Sequence, residues 1–186
     1  MENNFKRILG RSGIEVSPLG MGCWAIGGPM TMQGMSLGWG KVDDAESKRA
    51  LHKAYEMGIN LFDTADVYGL GHSEKLIGEV FSNIRSELVL ATKFGMAFNE
   101  KEATGYDGSP AYVQKAVEAS LKRLDTDYID LYQFHVSDFP HDEAAKTRDA
   151  LEALVEAGKI RGYAWSTDKL ENIALFAEGP NCIAVQ

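Results

Sequence analysis

After an opening segment rich in turn residues, FKRILGRSGIEVSPLG, short apolar runs of strand length alternate with amphipathic runs of helical length through to the last residue. No other feature constrains the chain as much. A strand followed by a helix and another strand lies parallel to its predecessor, so repeated βα units stack into a parallel sheet clad in helices. The strands are the run leading into GCWAIGG, then NLFDTA (60–65), LVLATKF (88–94), YIDLYQFH (128–135), IRGYAWS (160–166) and CIAVQ (182–186). Between them lie five helices. Asp43 and Glu46 fit a capping box for the first, which stops at Gly58. Ser73 can cap the second, EKLIGEVFSN, and Ser109 followed by Pro110 opens the third. The third carries Val113, Ala116, Val117, Ser120, Leu121 and Leu124 along one stripe, with Lys122 and Arg123 in its last turn. The fourth turns Ala150, Leu151, Leu154 and Val155 inward and ends at Gly158.

Two sheets accommodate such units: a closed barrel or an open doubly wound sheet. The doubly wound alternative calls for a glycine fingerprint leading into a helix after the first strand, and the turn there reads GCWAIGG. GLGHSE after the second strand is explained by a plain turn. The reading is therefore an α/β (β/α)8 TIM barrel. A complete barrel takes about 250 residues, so the 186 residues form a single domain, 1–186, truncated after about strand six and incomplete at the C-terminus.

Three strands in succession end on an ionisable residue: Asp63, Lys93 and His135. Each has a structural alternative taken singly: a turn residue, a solvated strand end, a satisfied buried histidine. Together they describe one rim, and the rim at the C-terminal ends of barrel strands is where catalytic groups gather. Tyr68 follows Asp63 by five residues, in the loop after the same strand. If the four converge, Tyr68 is the proton donor, its phenol drawn down in pKa by the Lys93 cation. Asp63 holds Lys93 through a charge-assisted hydrogen bond, and His135 donates a hydrogen bond to a substrate oxygen. The set calls for no metal. Met30, Met32 and Met35, in the loop after the first strand, either line a pocket with Trp24 and Trp39 or pack that loop down. His52, His72 and His141 sit in polar surroundings and read as surface residues.

The chain is 45% hydrophobic and 25% charged, a globular composition, and its formal charge of −8 argues against nucleic acid or an anionic membrane as partner. Cys23 and Cys182 lie in apolar runs without metal-ligand spacing and read as reduced core thiols. With no apolar stretch of spanning length and no apolar core in MENNFKRILG, the expectation is a soluble, cytoplasmic protein.

The motifs FDTA with a tyrosine five residues beyond the aspartate, the lysine closing the third strand, YQFH, and YAWSTD resemble those of the aldo-keto reductases, over about Phe5 to Gln186. The resemblance implies an N-terminal β-hairpin closing the barrel bottom, an NADPH (NADP) cofactor bound without a Rossmann motif, and reduction of a small carbonyl substrate in an enzyme of the bacterial type. It implies that Asp63, Tyr68, Lys93 and His135 are the catalytic tetrad, with Tyr68 the general acid. It places Gly22, Cys23, Trp24, Asp63, Ser166 and Gln186 at the cofactor, and Trp24, Tyr68 and His135 at the substrate. One position departs from the family pattern: many relatives carry asparagine directly after the serine, where this chain has Thr167 and then Asp168. Histidine at 135 favours carbonyls over carbon–carbon double bonds. Two further readings remain: a cofactor-sensing regulatory member like the potassium-channel β-subunits, or a non-functional fragment. Since the family's adenosine-gripping segment would lie past Gln186, the 186 residues alone are expected to be weakly active or inactive. They are also expected to bind NADPH poorly, which a fluorescence titration showing low-micromolar affinity would contradict.

Overall fold

The computed structural model describes residues 6–186, so Phe5, where the hairpin was expected to begin, lies outside the described residues. The chain opens with a hairpin of β1 (Arg7–Ile8) and β2 (Glu15–Val16), which pair antiparallel. Then come β3 (Gly20–Gly22), β4 (Thr31–Met32), β5 (Met35–Ser36), α1 (Asp44–Glu56), β6 (Leu61–Asp63) and α2 (His72–Phe81). They are followed by β7 (Val89–Phe94), β8 (Met96–Phe98), β9 (Ala103–Tyr106), α3 (Pro110–Leu124) and β10 (Leu131–Phe134). The last elements are α4 (His141–Glu156), β11 (Tyr163–Trp165), α5 (Leu170–Ala177) and β12 (Cys182–Val185).

The main sheet runs β3, β6, β7, β10, β11, β12, every neighbouring pair parallel. Each new strand joins beside its predecessor and the order never reverses. That is the winding of an α/β barrel wall and excludes the doubly wound alternative, whose order must reverse at a switch point. Side chains alternate across this wall. Phe62, Leu90, Phe94, Tyr132, Phe134 and Trp165 point outward and are buried against Leu51, Leu76, Val117, Leu151 and Phe176 of the five helices. Val89, Ala91, Leu131, Ala164 and Ile183 point inward and meet Ile14 and Val16 of the hairpin.

The hairpin therefore closes the end of the wall where the strands begin. Ser17 and Asn60 exchange hydrogen bonds of 2.7 and 3.0 Å at the foot of β6. The Arg11 guanidinium donates to the carbonyls of Ala177, Gly179 and Cys182 at the foot of β12. Gly10, at φ +52°, passes so close that an added Cβ would stand 1.9 Å from the Ile183 carbonyl oxygen; only glycine permits that approach.

Helix ends follow local chemistry. The Asp43 carboxylate accepts from the Glu46 amide at 3.0 Å and Gly58, at φ +88°, ends α1. Ser109 accepts from the Tyr112 amide with Pro110 at the first helical position. The expected cap at Ser73 is corrected. α2 begins earlier, after the left-handed Gly71, and the Ser73 hydroxyl donates instead to the Cys23 carbonyl while accepting from Thr64. That hydroxyl is buried, so binding the first βα loop outweighs capping.

Alternation in the main sheet gave no hint of the second one, ordered β5, β4, β9, β8. Its β4–β5 turn is Gln33–Gly34, both at positive φ (51° and 79°), the geometry of a primed hairpin turn with glutamine standing where asparagine is usual. A single parallel contact, Met32 to Ala103, joins the hairpin after β3 to the one after β7, forming a flap over the ends of the strands. Among the described residues, no helix is long and apolar enough to cross a membrane.

At the foot of the wall the Asp130 carboxylate, 0% exposed, accepts from Arg85 and Arg161, each at 2.7 Å, and from the Leu90 amide at 2.9 Å. Removing it leaves the nearly buried Arg85 guanidinium without a counter-ion. Asp130→Ala is therefore expected to destabilise the fold by about 3–5 kcal/mol, measured by urea unfolding; a cost near that of an exposed ion pair would contradict this account.

Candidate active site

Two-residue periodicity places Leu61 and Asp63 on β6, Val89, Ala91 and Lys93 on β7, and Leu131 and Gln133 on β10 on the same inner face. The lower members are apolar and meet the hairpin; the upper members are polar. His135 lies one residue beyond β10, its amide still bonded to the Phe94 carbonyl at 2.7 Å, so the inward period carries on to it. Lys93 likewise precedes the last residue of its strand instead of closing it. The loop after β6 keeps the ladder going through Thr64 and Asp66 amides bonded to Ala91 and Lys93 carbonyls, then turns Tyr68 over the strand ends.

Asp63, Tyr68, Lys93 and His135 come together. Lys93, 2% exposed, places its Nζ 2.6 Å from Asp63 Oδ2, 3.0 Å from the Thr64 carbonyl and 3.4 Å from the Tyr68 hydroxyl. Three oxygens thus surround an ammonium that could not be buried alone. The Tyr68 ring stacks on Trp24, with centroids 5.8 Å apart and planes at 20°, and meets the edge of His135 at 6.1 Å. His135 brings a buried Nδ1 that has no partner among the described residues, leaving part of its hydrogen-bonding capacity unspent.

The electrostatics correct one expectation. The Tyr68 phenol is raised above its ordinary range, first by burial and then by Asp63, Cys23 and Asp66. Lys93 does not draw it down, because its charge is paired with Asp63 and burial dominates. His135 is lowered to about 4, by burial and then by Lys93, against a smaller opposing effect of Asp63. At neutral pH the site accordingly presents a neutral phenol and a neutral imidazole.

Two cavities flank this centre and share His135 and Met96 as a wall. One, of about 200 Å³, is lined by Trp24, Met30, Leu37, Val67, Tyr68, Met96 and His135, apolar apart from the last ring and the phenol. The other, of about 510 Å³, is the more polar of the two, with Ser137, Ser166, Thr167, Asp168 and Gln186 on its walls beside Met96 and Tyr106. Of the three methionines, Met30 lines the apolar cavity, Met32 lies in the flap and packs half-buried against the cluster of Met30, Ala65, Val67 and Ala103, and Met35 is exposed. Trp39 is exposed as well, edge-on to Trp24 at 5.8 Å.

The remaining named residues divide. Ser166 and Gln186 reach the polar cavity, and Gln186 Nε2 stands 3.4 Å from Asp63 Oδ2. Gly22 ends β3 beside Asp63, with open space where a side chain would stand. Cys23 turns away: its thiol is buried in the helix-facing core with its pKa pushed up to about 12, so only its backbone, whose amide donates to the Asp63 carbonyl at 2.7 Å, borders the site. Thr167 and Asp168 fasten the loop after β10, Thr167 donating to the Ser137 carbonyl at 2.8 Å and Asp168 accepting from its hydroxyl at 2.9 Å. Trp165 adds a 2.7 Å bond to the Val136 carbonyl, so His135 sits at the start of a clamped loop. Gln133 was not singled out from sequence, yet its amide donates to Asp63 Oδ1 at 3.0 Å. The inward period of Leu131, Gln133 and His135 was the signal that could have found it.

Comparison with known proteins completes the description. The family profile described as "Aldo/keto reductase family" matches residues 18–186. An uncharacterized oxidoreductase, YqkF, of Bacillus subtilis is 37% identical over 97% of this chain and 54% of its own length. The aldo-keto reductase YhdN of the same organism is 38% identical over 89% of this chain and 47% of its length. The structure of the aldo-keto reductase AKR11C1 from Bacillus halodurans in its holo form superposes with a TM-score of 0.82 at 37% identity, covering 97% of this chain and 56% of that one. The chain thus spans about half the length of the relatives it matches. By its profile match, its sequence identities and its barrel-type wall of six parallel strands, the chain belongs to the aldo/keto reductase family.

Proposed function

We propose that the protein is an NADPH-dependent oxidoreductase that reduces an aldehyde or ketone to an alcohol, with Tyr68 as general acid. The observation that carries the reading is the position of the Tyr68 hydroxyl, 3.4 Å from a buried, Asp63-bound ammonium and beside an imidazole whose Nδ1 is unpartnered. The polar cavity suits the nicotinamide end of the cofactor. It holds the Ser166 hydroxyl and Gln186 amide, a donor and acceptor pair for a carboxamide, and it opens onto His135. That a relative is described in a holo form supports a bound cofactor. When bound, the nicotinamide supplies the hydride.

The protein's own residues handle the oxygen. The substrate body fits the apolar cavity, where Trp24, Met30, Leu37 and Val67 exclude water, with its carbonyl oxygen at the Tyr68 and His135 end. His135, neutral above about pH 4, donates one hydrogen bond to that oxygen and fixes its direction. Tyr68 keeps its proton at neutral pH because its pKa is raised, and gives it up only as negative charge develops on the oxygen. Lys93 then faces a phenolate at 3.4 Å and stabilises it, while Asp63 holds Lys93 in place.

In the complete protein, Tyr68→Phe is expected to lower kcat by about 10²–10⁴-fold and to leave cofactor affinity near its original value. Turnover at the wild-type rate would show that the acid is another group. The pH dependence is a second expectation. A depressed imidazole pKa keeps His135 neutral from the ordinary value of about 6.5 down to about 4, and because the unfolded chain takes up that proton first, the stability it contributes is lost progressively as pH falls across this window. The rate is therefore expected to show no His135 inflection between about pH 5 and 8, and an NMR titration of its ring protons to find a midpoint near 4. A midpoint near 6.5 would contradict the burial of the ring.

A further inference from the structure

We propose that Gln133 is a positioning residue for the proton-donating centre: its amide fixes the Asp63 carboxylate so that Lys93 is held against the Tyr68 hydroxyl. The proposal rests on the reading of Tyr68 as general acid. Asp63 is the last residue of β6 and its side chain retains 25% exposure, so one of its oxygens can turn toward water. A carboxylate rotates easily about its last torsion, which is broad and roughly two-fold. Lys93 is carried on a flexible four-carbon stem, and Asp63 Oδ2 at 2.6 Å is its closest partner. An unanchored carboxylate would therefore let the ammonium drift.

Among the described residues three donors reach the Asp63 carboxylate: Lys93 and Gln186 on Oδ2, Gln133 on Oδ1. Gln186 is exposed and 3.4 Å away, whereas Gln133 is 1% exposed and 3.0 Å away. Among the described residues only Gln133 occupies the second oxygen. Its backbone pairs in register with Lys93, and β10 is separated from β6 by β7, so the amide reaches over the strand that bears Lys93 to grasp the carboxylate beyond it. The chemistry of an amide suits that task. A cationic residue at 133 would compete with Lys93 for Asp63, a carboxylate would repel Asp63, and an apolar residue would leave Oδ1 to solvent.

The test uses Gln133→Met, which keeps the side-chain length and loses the donor, with Gln133→Leu as a second variant should the first fail to fold. Two readouts are needed. The ¹H–¹⁵N signal of the Lys93 ammonium reports its hydrogen bonding directly, and its hydrogen exchange is expected to quicken at least about tenfold in the variant. Under carbonyl reduction, kcat is expected to fall about tenfold with KM within about twofold, the split produced by an interaction that matters only in the transition state. A Lys93 signal identical to wild type overturns the proposal whatever the activity. So does a changed signal with kcat unaltered, since Gln133 would then merely brace the sheet. If the wild-type protein turns over no carbonyl, the reductase reading fails by itself, and the Lys93 signal still decides whether Gln133 positions that ammonium.

Discussion

The ion pair of Lys93 with Asp63 is the interaction on which the site depends. An ammonium with 2% exposure loses nearly all of its hydration, and only close oxygens can replace it. The chain supplies a carboxylate, a backbone carbonyl and a phenol, each from the β6 strand or the loop that follows it. That loop must consequently stay folded over the strand ends. Gly27 approaches Tyr68 so closely that a Cβ there would stand 2.8 Å from the Tyr68 carbonyl carbon, and Ser73 ties the segment back to Cys23. The tight packing of these loops follows from the need to solvate one charge with protein.

The same pairing explains why the two other groups behave unlike their free counterparts. With the cation satisfied, burial governs both rings, so the phenol holds its proton more firmly and the imidazole holds one less firmly. The site keeps its charge in a single compensated pair and leaves its contacts with the apolar cavity neutral. A neutral lining costs less to desolvate than a charged one, which accords with walls made of Trp24, Met30, Leu37 and Val67.

Much of this was legible in the chain. Alternating runs located the six parallel strands, and three strands ending on Asp63, Lys93 and His135 pointed to a rim, because two-residue periodicity and strand order are local properties that dictate where side chains go. What escaped depended on contacts between distant segments. The flap joins hairpins after β3 and β7 through one residue pair, Met32 with Ala103, and its Gln33–Gly34 turn departs from the usual asparagine signal. Ser73 looked like a cap and serves a buried carbonyl instead. Proximity of a lysine to Tyr68 was read correctly, but the sign of its effect was not, since that depended on how completely Asp63 neutralises Lys93 and on how deeply the ring is buried. Gln133 lay hidden because an amide between two hydrophobic neighbours, Tyr132 and Phe134, resembles ordinary strand filler unless its face is counted.

The sequential order of the sheet bears on how the protein assembles. Residues that meet at Asp63 come from 30, 70 and 123 positions away along the chain, contacts that close slowly compared with a helix. Lys93 and its counterion are the nearest in sequence of these, linked by α2 and one strand pair. A β6–α2–β7 unit is therefore the smallest piece in which the lysine can leave water already neutralised. Docking β7 on β10 first would bury the ammonium without its carboxylate. Growth of the wall from its N-terminal side, the order in which a ribosome delivers the strands, is the route along which that charge need never be stranded.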